Sequence, residues 1–123
     1  MGILKKIMNI EITPSKPKQV IWQIDKSIMG STYKNPDGSD RQKIIKTLKS
    51  GDDIIFRPAP IKGYPDLIGA FTAKNKQIGS VPYDVVNTIK NNYAGYPMSA
   101  TVKEVIYYGD HYLCYVTIKV YQK

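Results

Sequence analysis

Apolar positions alternate most strictly near the end of the chain, where Cys114, Val116, Ile118 and Val120 occupy every second residue. A period of two marks a strand with one buried face. These four side chains therefore predict the core face of a strand from His111 to Tyr121. Met98 to Tyr108 precedes it as an antiparallel partner, and Gly109-Asp110 makes the hairpin turn. The same alternation opens the domain: Val20, Trp22 and Ile24 on one face, Ile21 and Gln23 on the other. That strand is expected to run on through Ile28 to Tyr33, with Trp22 in the core.

Between these ends lies a small meander, Gly51 to Pro82. Ile54-Ile55-Phe56 reads as a strand closed by Pro58 and Pro60, since proline cannot donate to a ladder. A polar loop, Lys62-Gly63-Tyr64-Pro65-Asp66, leads to a strand from Leu67 to Ala73. Lys74-Asn75-Lys76 turns the chain into a third strand, Ile78 to Pro82.

Two helices break the pattern. Asn35-Pro36-Asp37-Gly38 is a turn, and Ser39-Asp40-Arg41-Gln42 fits a capping box, with Ser39 accepting from the Gln42 N–H and Gln42 reaching back. Ile44, Ile45 and Leu48 share one face, and Gly51 suits a left-handed cap, so a helix is expected near residues 40–49. Val85, Val86, Ile89 and Tyr93 define a second helix near 83–93, with Asp84 in its first turn and Gly95 beyond its end. The resulting fold class is mainly β with two short helices, an OB-like or SH3-like antiparallel barrel of about six strands. One domain covers 19–123. An extension and linker, 1–18, precedes it; Ile3, Leu4, Ile7 and Met8 fit one face of a short helix that packs on the domain or frays, and Met8 to Ile12 fits a strand as well.

Charge adds a partner class. Eighteen Lys and Arg stand against ten Asp and Glu, a formal +8, which suits nucleic acid or an anionic surface, or merely a solvated basic face. Lys5-Lys6 interrupts the early apolar groups, so neither a signal peptide nor a membrane span is expected. The single cysteine excludes an internal disulfide and points to a reducing, cytoplasmic setting.

Catalytic chemistry finds little support in the sequence. His111 is the one histidine, so a zinc site lacks ligands. Nucleophilic catalysis by Cys114 would need a base close by, and Cys114 reads instead as a core residue. Asp52 and Asp53 are adjacent and would point to opposite faces of a strand, so a turn explains them better than a catalytic pair, and no Gly-rich phosphate loop is present. The expectation is a non-enzymatic module without metal or cofactor. Ten of its thirteen aromatic residues are tyrosine, which has a flat face for stacking and a polar tip. Tyrosines interleaved with lysines on a small barrel can bind single strands, with bases on rings and ammonium groups on phosphates. Tyrosine is equally an ordinary strand residue.

Ile28-Met29-Gly30-Ser31-Thr32-Tyr33, Gly38-Ser39-Asp40-Arg41-Gln42, Leu48 with Gly51-Asp52, and Gln77-Ile78-Gly79-Ser80-Val81-Pro82 follow in an order that resembles the HIRAN domain family, over about residues 20–121. The resemblance implies an OB-like six-stranded barrel with two helices. It also implies recognition of single-stranded DNA or 3′ DNA ends, alone or beside a helicase or nuclease in DNA repair. Under it Tyr33 and Tyr64 stack on bases, Lys62, Lys74 and Lys76 meet phosphates, Asp66 accepts from a 3′ hydroxyl, and Tyr112 stands for the family's late aromatic. The loop departs from the family's usual Asn-x-Tyr-Asp-x-Asn-Ala-Ile, reading Lys62-Gly63-Tyr64-Pro65-Asp66-Leu67-Ile68, and Ser80 stands where an aromatic is usual. The alternative is an adaptor of similar fold that binds protein and no DNA.

Overall fold

The computed structural model describes residues 18–123. The helix expected over residues 3–10, and all but the last residue of the 1–18 extension, lie outside the described residues. The elements follow in the order β1 (Val20–Ser27), α1 (Arg41–Lys46), β2 (Ile54–Pro58), β3 (Ile68–Thr72), β4 (Gln77–Ser80), α2 (Tyr83–Asn92), β5 (Met98–Tyr108) and β6 (His111–Tyr121).

The strands form two antiparallel three-stranded sheets, β1-β6-β5 and β2-β3-β4. β6 is central, as its alternation requires: Cys114, Val116, Ile118 and Val120 are all fully buried. Burial also pushes the Cys114 thiol up to about 11, which leaves it an inert core group. In β1 the predicted alternation holds for Trp22 and Ile24, which oppose Val120 and Ile118. It fails at Val20, which is exposed, because a bulge between Val20 and Trp22 shifts the register.

One core joins the sheets, with Ile28, Ile45, Ile54, Ala70, Ile78, Val81 and Val85 among its members. Between the sheets the ladders reduce to single bridges, Asp53 to Thr101 on one side and Met29 to Ser80 on the other. A continuous closed barrel, expected from the short strands, is therefore not what the hydrogen bonds draw. The β5 bulge between Val102 and Glu104 and the early end of β1 interrupt the ladders.

α1 is shorter than its sequence suggests and is capped differently. Asp40 is its N-cap and accepts from the Gln42 N–H, while Thr47 ends it through a backbone bond to Ile44. Ser39 instead donates its hydroxyl to Asp37 Oδ1 at 2.6 Å and accepts from Asn35 Nδ2. α2 matches its expected span and buries Val85 and Val86. It is tied to β1 by a 2.7 Å Lys26–Asp84 ion pair and by Tyr93 against Trp22.

Candidate nucleic-acid interface

The segment after β1 builds the site. The chain makes one bridge at Met29, then turns at Gly30, whose φ of +66° favours glycine. Tyr33 thus sits on a turn and not at the end of a long strand, and the residue is 69% exposed. Asn35 to Ser39 closes on itself: Asn35 N–H donates to the Ser39 carbonyl, and Gly38 N–H to the Asn35 carbonyl.

Asn35 organises what lies beneath. It is buried, yet its amide is fully used. Nδ2 donates to Ser39 Oγ at 3.0 Å and to the Gln77 carbonyl at 2.9 Å, while Oδ1 accepts from Arg41 Nε at 2.7 Å. Arg41 Nη1 donates to the Gly30 carbonyl at 2.9 Å. The turn, the start of α1 and the edge of β4 are therefore locked together around one asparagine. Partial burial pushes the Arg41 guanidinium down from its ordinary value, but arginine remains charged throughout the physiological range.

The β2–β3 connection supplies the opposite wall. Ala59 N–H bonds the Leu67 carbonyl, and Ile61 and Tyr64 exchange backbone bonds about a tight turn. Tyr64 is held 53% exposed by that turn. Tyr33, Tyr64 and Tyr83 line one groove of about 530 Å³, with Met29, Ile61 and Leu67 as apolar surface and Lys34 and Arg41 as its cations. No aspartate or glutamate lines it.

The structure thus brings Tyr33 and Tyr64 together, as the sequence suggests. Lys62 and Asp66 are exposed on the Tyr64 loop and are not part of the groove's lining. Lys74 and Lys76 line a separate groove of about 700 Å³, with Lys43, Asp52 and Asp53, so their surroundings mix both signs of charge. Tyr112 lies outside both linings. It packs against Tyr107 at 4.9 Å and joins the core. β6 carries it inward, and the Gln42 side chain occupies its backbone N–H and carbonyl. Lys34, Arg41 and Tyr83 belong to the same interleaved set of tyrosines and basic residues but are not among the site residues that the sequence singles out; the Asn35-Pro36-Asp37-Gly38 turn is what brings Lys34 and Arg41 to the groove, and Tyr83 reaches it from the start of α2.

In a search of solved structures the chain is similar to the HIRAN domain of human HLTF, with a TM-score of 0.57 over 85% of this chain and 78% of that one. The fold is HIRAN-like. Identity between the two is 11%, so the likeness is one of fold alone. No family model matches the sequence, and no curated protein does. The HIRAN-like architecture agrees with the order of motifs from Ile28 to Pro82, and it places both Tyr33 and Tyr64 on connections between strands, where binding residues can vary without disturbing the core.

Proposed function

We propose that this chain is a non-catalytic module that binds single-stranded DNA in the groove between Tyr33 and Tyr64. One observation carries the reading: three exposed tyrosines share a groove whose charged lining residues, Lys34 and Arg41, are both cations. Aromatic faces take bases of any sequence, and cations in a lining that holds no carboxylate take phosphates. The resemblance to HIRAN domains, noted from sequence and met in the fold, supports the same partner. It also supports recruitment beside a DNA-processing enzyme such as a helicase or nuclease. Asp66 stands outside the lining, so the reading assigns the groove to the strand and not to capture of a 3′ hydroxyl.

The adaptor reading draws on a different surface. The β5–β6 hairpin exposes Ile106, Tyr107 and Tyr108 in succession, an apolar tip suited to protein contact.

Titrating a labelled oligothymidine into the wild type, Tyr33→Ala and Tyr64→Ala separates the two. Strand binding predicts that each substitution weakens affinity by roughly 1–3 kcal/mol. The salt dependence should stay unchanged, because a phenol releases no counterion. Lys34→Ala should instead flatten the salt slope by about one unit. Absence of binding at low salt would leave the adaptor reading.

A further inference from the structure

We propose that a strand leaving the tyrosine groove crosses the outer face of the β2-β3-β4 sheet and is held there by Arg57, a site that rests on the single-strand reading above. The sheet register joins the two surfaces. Gly69 lies opposite Ser80 on one side and Arg57 on the other, and Phe71 lies opposite Gln77 and Ile55. Directly paired residues project from the same face of a sheet. Ser80 and Gln77 line the groove. The edge of the groove on β4 is therefore continuous with the face that carries Phe71, Ile55 and Arg57.

Gly69 lets a ring lie flat on that face. A Cβ built there would meet Phe71 Cε1 at 2.7 Å and Gln77 Nε2 at 3.0 Å, so the Phe71 ring and the Gln77 side chain are neighbours over the glycine. The Arg57 guanidinium lies over the Phe71 ring, 3.9 Å from its centroid. Arg57 is exposed and has no carboxylate partner among the described residues. Ile55, on the same face, is 44% exposed. Contact with the ring restrains the side chain without using its N–H donors. An arginine so held takes a base on its plane and a phosphate on its edge. The occupant is the same strand, because an unpaired guanidinium favours an anion and the groove delivers one to its side. β2 is two strands from β4, roughly 10 Å, which about three stacked nucleotides span.

The test compares oligothymidines of three and eight nucleotides on the intact wild-type chain, Arg57→Ala and Arg57→Lys. Arg57→Ala should bind the eight-mer at least about 5-fold more weakly than wild type and the three-mer equally well. Its salt slope for the eight-mer should be shallower by about 0.7, the share of one phosphate on a single strand. Arg57→Lys should keep the slope and recover part of the affinity, because a lysine supplies the charge without the plane. In nuclear magnetic resonance spectra of the wild type, the Arg57 Nε–H and the Phe71 amide should shift with the eight-mer and stay still with the three-mer. That readout acts on the unmodified protein, so the outcome does not depend on whether a variant folds. Arg57 unmoved by the eight-mer, or Arg57→Ala equal to wild type at both lengths or equally weakened at both, overturns this site and leaves the groove reading intact. No binding of either oligonucleotide to the wild type overturns strand binding itself.

Discussion

The side-chain amide of Gln42 pairs with the backbone of Tyr112 on both its groups, accepting from the Tyr112 N–H at 2.6 Å and donating to the Tyr112 carbonyl at 3.0 Å. Nε2 also donates to the Ser31 carbonyl at 2.9 Å. One glutamine thus staples the first turn of α1 to the start of β6 and to the segment that carries Tyr33. Gln42→Ala would leave a partly buried backbone pair without partners. The expected loss is about 1–3 kcal/mol in chemical denaturation. Gln42→Glu would set a carboxylate oxygen against the Ser31 and Tyr112 carbonyl oxygens, so it should cost at least as much as the alanine. A loss below about 0.5 kcal/mol for Gln42→Ala would mean that water replaces the staple.

Gly79 decides how close the two sheets approach. Its φ is +154°, and an added Cβ would lie 2.2 Å from the Met29 carbonyl oxygen and 2.4 Å from Ile28 Cγ2. Met29 and Ser80 exchange backbone bonds at 2.8 and 2.9 Å, so there is no slack to give. Gly79→Ala should destabilise by at least about 2 kcal/mol and should loosen Met29 at the edge of the groove. A variant that melts within a few degrees of wild type would show that the seam between sheets opens easily.

Acid should act through surface carboxylates. The hydrogen bond from Lys103, joined by one from Thr117, holds the Asp25 carboxyl below its usual range, and Lys26 does the same for Asp84. A carboxylate whose pKa is depressed by folding stabilises above its unfolded value, about 4, and that contribution is lost as pH falls through the folded value. Melting temperature should therefore be nearly flat from roughly pH 8 to pH 5 and decline below about pH 4. Asp25→Asn should shrink the decline. A drop already evident near pH 6 would contradict this assignment.

Local signals were legible where packing follows period and turn chemistry. The strict alternation from Cys114 to Val120, the hairpin at Gly109-Asp110 and the α2 face at Val85, Val86 and Ile89 all appear as read. The N-cap of α1 was misplaced because Ser39 and Asp40 both accept well; Asp37 claims the Ser39 hydroxyl, so Asp40 caps. The site was only half legible. Tyr33 and Tyr64 sit on turns whose own residues announce them. Arg41 reaches the groove through Asn35, a contact made only once the chain folds back. Lys74 and Lys76 are near Tyr64 in sequence, but the β3–β4 turn carries them to another groove.

The central claim is where the strand lies, and nuclear magnetic resonance reads that directly. Titration of the isotope-labelled chain with a short oligothymidine should shift the amides of Met29 to Lys34, Ile61 to Leu67 and Tyr83. Those of Ile106 to Tyr108 at the hairpin tip should remain unmoved. Shifts confined to the hairpin, to Lys74 and Lys76, or absent altogether would contradict the account.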